Sequence, residues 1–136
     1  MQMASGAKFV SGSFTVPNDA STYTINFEKT FARYIFICEM SDTSKASLLN
    51  SGQNANKTYI LMGIYPTPGI SNYNPTNQCL FSRINPTSTD VAMSASGNFV
   101  SNIDESSITL AADAVSGSLY RVYRGYEYNY YIVEIK

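Results

Sequence analysis

Five carboxylates stand where catalysis would have to be built: Glu39, Asp42, Asp104, Glu105 and Glu127. A facing pair of carboxyl groups is what glycoside hydrolysis needs, one to give a proton and one to act as base or nucleophile. The neighbours Asp104 and Glu105 fall in a polar IDESS turn and read as solvated. Glu39 closes an apolar run and reads as a surface-edge residue. The chain contains no histidine. That removes Ser-His-Asp and Cys-His activation of a nucleophile and nearly all zinc catalysis. No G-x-G-x-x-G or P-loop run is present to cradle a phosphate. A calcium site on Asp104, Glu105 and backbone carbonyls would lack the spacing of an EF-hand loop. The chain therefore reads as a non-enzyme, with no cofactor and no metal.

Cys38 and Cys79 lie inside apolar runs, YIFICEM and QCLFSRI. Both read as buried free thiols, which behave as small hydrophobes. Their spacing alone leaves a disulfide open.

The other residues with binding chemistry are aromatic. Of the 11 tyrosines, Tyr120, Tyr123, Tyr126, Tyr128, Tyr130 and Tyr131 crowd into the closing stretch YRVYRGYEYNYYIVEIK. Alternation along a strand puts Tyr126, Tyr128, Tyr130 and Ile132 on one side and Tyr131, Val133 and Ile135 on the other. The second set reads as the core face. The first, with Tyr123 and Arg124 at its entrance, reads as structural by default and otherwise as a face for a sister subunit or a glycan. Tyr65 and Tyr73, flanking or within the Pro66–Gln78 loop, complete the set of ligand or subunit contacts: Tyr65, Tyr73, Tyr123, Arg124, Tyr126 and Tyr128. The Ser41–Asn56 and Pro66–Gln78 loops are the expected sites of variable contact.

The elements that must hold these residues are strands. Val10, Phe14 and Val16 share a face, with Gly12 between them. Tyr23, Ile25 and Phe27 alternate with Thr24 and Asn26. Tyr34–Cys38 and Tyr59–Tyr65 are apolar on both faces and read as strands buried on both sides. Cys79–Ile84 is a further strand, and shorter ones fall at Asp90–Ser94, Phe99–Asn102 and Ser107–Ala111. Ser41–Asn56 reads as a long polar loop, with room for a turn of helix at SKASLL. Eight to ten strands, turn signals between them and no amphipathic helix make an all-β protein. The expected fold is a single antiparallel β-sandwich of jelly-roll-like character over residues 1–136, with residues 1–7 as a flexible tail.

Composition sets the surroundings. Apolar residues make up 44% of the chain, enough for a core, while charged residues make up only 14%, well below the usual quarter. The 9 basic residues are scattered and the net charge is -1, so no nucleic-acid footprint exists. MQMASGAKFV has neither the basic start nor the apolar run of a signal peptide. No apolar stretch is long enough to insert in a membrane as a helix.

The layout resembles a group of small all-β proteins and C-terminal domains encoded by phages and prophages of gut bacteria. The resemblance is carried by ASGAKFVSGSFTVPNDASTYTINF, with a G-x-F-x-V-P … Y-x-I opening, and by FARYIFICEM, matching a P-x-Y-F-x-I central strand. RGYEYNYYIVEI matches a Y-x-Y-x-W-x-I/V ending, with Tyr130 or Tyr131 where the group often has Trp. The resemblance covers most of the chain and carries no catalytic signature. It implies a virion accessory module of tail, fibre or capsid-decoration type, often a homotrimer and often with a surface-binding role. Such a protein would be assembled in the host cytoplasm, and its partners would be its own copies, other virion proteins and a host-surface glycan. The alternative is a soluble carbohydrate-binding, lectin-like module.

Overall fold

The computed structural model describes residues 8–52, 57–66, 79–84, 91–96, 100–117 and 121–136. The expected tail at 1–7 and the contact candidate Tyr73 lie outside them. Among the described residues run ten strands and one helix. They are β1 (Phe9–Thr15), β2 (Thr22–Asn26), β3 (Tyr34–Met40), α1 (Asp42–Asn50), β4 (Tyr59–Tyr65), β5 (Cys79–Ile84), β6 (Val91–Ser96), β7 (Val100–Ile103), β8 (Ser107–Asp113), β9 (Val122–Tyr123) and β10 (Glu127–Glu134).

Two sheets pack face to face. The larger has six strands in the order β1-β10-β3-β4-β5-β6, every neighbour antiparallel. The smaller has the order β2-β8-β7, with the short β9 running parallel beside the end of β8. The chain is thus an all-β sandwich. Its jelly-roll component is the nesting of β1 with β10 in one sheet and β2 with β8 in the other, so that the two ends of the chain wrap together. From β3 to β6 the large sheet is a plain meander.

The core fills the gap between the sheets. Phe14, Phe36, Cys38, Met40, Leu61, Tyr128 and Ile132 come from the large sheet, and Ile25, Val100, Ile108 and Leu110 from the small one. Much of the filling is aromatic. Phe14 stacks on Tyr23 at 4.2 Å and on Tyr128 at 5.7 Å. At the other end Phe27, Phe31 and Tyr34 meet edge to face, and Tyr34 stacks on Tyr65 at 5.2 Å. The buried Tyr34 hydroxyl donates to the Asp104 carbonyl at 2.8 Å, so the phenol brings apolar area inside without leaving its polar tip unpaired. Tyr thus does in this core the packing work usually given to Leu and Phe.

The Ser41–Asn56 stretch is a correction: its first half is the helix α1. Ser41 caps the helix, accepting from the Ser44 amide at 3.2 Å, and Asp42 in the first turn suits the helix dipole. Gly52, at φ +82, ends it in the left-handed conformation that glycine adopts without strain. Only Ser44 and Leu48 are buried, so the segment has no apolar stripe to betray a helix in the sequence. Ser44 does a second job, its hydroxyl accepting the Glu127 amide at 2.8 Å and tying α1 to the start of β10.

Cys38 is a buried free thiol, as expected. Cys79 cannot reach it within this sheet. Cys38 pairs with Leu61, Cys79 pairs with Gly63, and β4 lies between their strands. Two strand spacings are about 9.6 Å, beyond the ~7 Å Cα limit of a disulfide. Burial also pushes the Cys38 thiol pKa well up, so little thiolate exists to react. In a Cys79→Ser background, Cys38 should resist an aromatic disulfide reagent in buffer and react fully in denaturant. Fast labelling of the native protein would contradict its place between the sheets.

Candidate contact surface

The tyrosine-rich close is where sequence and structure part. Tyr128 is 2% exposed and Ile132 is fully buried, while Tyr131 is 40% exposed. The 126–132 side faces the core and the 131–135 side faces out, the reverse of the expected assignment. The cause is the partner strand. In the register of β1 with β10, Phe14 stands opposite Tyr128 and Gly12 opposite Tyr130. Gly12 makes room for the Tyr130 ring: a Cβ there would sit 2.7 Å from its hydroxyl oxygen. Burial also raises the Tyr130 pKa, with Tyr23 and Glu28 adding to it.

The contact candidates therefore gather largely inside. Tyr123 is fully buried, with the Lys57 ammonium 5.3 Å above its ring and bonded to the Gly117 carbonyl at 2.9 Å. The Tyr128 hydroxyl accepts the Tyr123 amide at 2.9 Å. Arg124 and Gly125 form a turn, closed by the Tyr126 amide on the Tyr123 carbonyl, with Gly125 at φ +84. The Arg124 guanidinium donates to the Ala20 carbonyl at 3.1 Å, a structural use of its charge. Tyr126 packs half-buried against the core, and Tyr65 leans on Tyr34. Neither Tyr123 nor Tyr128 can touch a ligand without the sandwich opening.

The carboxylates are also dispersed into structural roles. Glu39 holds Lys45 of α1 at 2.7 Å. One Asp104 oxygen accepts from the amides of Ser106 and Ser107, at 2.9 and 2.8 Å, and from both their hydroxyls. Among the described residues no three metal-ligating side chains cluster. The Ser106 amide first of all, opposed by desolvation and helped by the Ser107 bonds, holds the Asp104 carboxyl below its ordinary 3.8. A group so depressed adds stability above that value and loses it as pH falls through the folded pKa. Asp104→Ala should cost about 1 kcal/mol, the scale of a lost side-chain cap. It should also flatten the acid limb of the stability curve below about pH 4. Urea melts of both proteins from pH 3 to 7 would check this, and an unchanged acid limb would remove Asp104 from the account.

The surface that sequence reasoning missed is the outer face of the large sheet. Strands β3 and β4 are apolar on both sides, and the small sheet covers only one of them. Along β3, Tyr34, Phe36, Cys38 and Met40 are buried, while Ile35, Ile37 and Glu39 alternate with them and stay half-exposed. On β4, Leu61 is buried but Ile60 and Met62 are half-exposed and Ile64 is 39% exposed. The register sets these side by side: Val133 opposite Ile35 opposite Ile64, and Tyr131 opposite Ile37 opposite Met62. Phe9 of β1, 44% exposed, stacks on Tyr131 at 6.4 Å. The next row along the sheet is polar, with Ser13 opposite Asn129 opposite Glu39, so the apolar part is a strip two rows deep across β10, β3 and β4 with Phe9 at its edge.

The opposite outer face has another character. On the small sheet Thr22, Thr24 and Asn26 are exposed, the Thr24 and Thr109 hydroxyls meet at 2.9 Å, and Ser101 bonds the Thr109 carbonyl. One broad face of the sandwich carries an apolar strip and the other is lined with hydroxyls. Among the described residues no helix is long and apolar enough to cross a membrane. Comparison with family models, with curated proteins and with solved structures returned no match, so the surface stands on its geometry alone.

Proposed function

We propose that the chain is a non-enzymatic structural subunit, a virion accessory protein of tail, fibre or capsid-decoration type, that works by burying one sheet face against a neighbour. The observation that supports this most is the contrast between its two outer faces. Isoleucines of β3 and β4, with Phe9, Tyr131 and Val133, form a dry surface, and threonines and asparagine line the other. A face of that kind stabilises an assembly by removing apolar area from water and orients each subunit with its hydroxyl face outward. The virion setting comes from the resemblance of the strand and turn pattern. Mass spectrometry of purified particles from a producing lysate tests it: the chain should appear at a fixed stoichiometry to the major structural proteins. Absence from particles would overturn the virion setting.

One observation favours the carbohydrate-binding alternative. The stacked Phe9 and Tyr131 rings are both well exposed, and exposed rings stack on sugar faces. On that alternative the chain binds a glycan array, and Tyr131→Ala abolishes the signal.

A further inference from the structure

We draw no further inference here: the strongest candidate, the outer edge of β1 in the large sheet, an uncharged and proline-free strand from Phe9 to Thr15 with no bulge in its register against β10, carries nothing, because nothing among the described residues shows which segment, of this chain or of a partner, would pair with it.

Discussion

Tyr128→Ala should cost about 3–5 kcal/mol, the range for deleting a large buried side chain. Tyr131→Ala, three residues along the same strand, should leave the folding stability of the single chain within about 1 kcal/mol. The contrast follows from position. Tyr128 is 2% exposed, stacks on Phe14 and accepts the Tyr123 amide, so its loss opens a cavity and removes a buried acceptor together. Tyr131 is 40% exposed and touches Phe9 from the outside. Domains of this size are held by about 5–15 kcal/mol, so the first variant should be close to unfolded and the second well folded. Tyr128→Phe should fall between them, at about 1–2 kcal/mol, because the ring remains and only the acceptor goes. Denaturant melts of the three variants, each made also in the Ile37→Arg background and compared at low protein concentration, would read these values with any association weakened. Equal losses for Tyr128→Ala and Tyr131→Ala would mean that the strand faces are wrongly assigned.

The second large effect should appear at Tyr34. Its ring joins Phe27, Phe31 and Tyr65, and its hydroxyl holds the Asp104 carbonyl across the sandwich. Tyr34→Ala should cost about 3–5 kcal/mol and Tyr34→Phe about 1–2 kcal/mol. The phenol also ties stability to alkaline pH. Burial, first of all, then the charges of Asp104 and Tyr65, push the Tyr34 pKa far above its ordinary 10.0. The folded state therefore keeps a proton that the unfolded chain gives up. Stability contributed by such a group is whole below the unfolded pKa and falls as pH rises past it. Cys38, its thiol pushed up from 9.0 chiefly by burial, acts in the same direction. Unfolding free energy should decline above about pH 9, and each group should add up to about 1.4 kcal/mol per pH unit to the slope. Tyr34→Phe, although less stable at neutral pH, should lose less between pH 10 and 11. A variant with the same alkaline slope as the wild type would show that Tyr34 ionises freely in the folded protein.

Much of the fold was legible because burial on one side writes itself into a strand. Tyr23, Ile25 and Phe27 alternate with exposed Thr24 and Asn26, and the small sheet holds them that way. Tyr59–Tyr65 and Cys79–Ile84 were bounded by prolines and polar runs and fall where expected. The last strand was misassigned because both its faces carry large residues, and Val133 and Ile135 look more core-like than tyrosines do. What decides the matter is Gly12 opposite Tyr130 and Phe14 opposite Tyr128, a pairing across nearly the whole chain that local alternation does not contain. The helix α1 escaped for a different reason. Ser41, Asp42 and Gly52 are sound start and stop signals, but the residues between them bury only Ser44 and Leu48.

The contact surface was legible in part and read in the wrong sense. Apolar residues on both faces of β3 and β4 predict burial on both sides within one chain. Instead the small sheet covers the inner side alone, and Ile35, Ile37, Ile60, Met62 and Ile64 are left facing outward. A doubly apolar strand in a two-layer sandwich has no third layer of its own.

The most direct measurement is hydroxyl-radical footprinting of the tyrosines in the wild type and in Ile37→Arg, read residue by residue by mass spectrometry. Tyr128 should stay protected in both proteins, and Tyr131 should be protected in the wild type and strongly modified in Ile37→Arg. Equal modification of Tyr131 in both, or heavier modification of Tyr128 than of Tyr131, would contradict the dry sheet face as the surface through which this protein meets its neighbour.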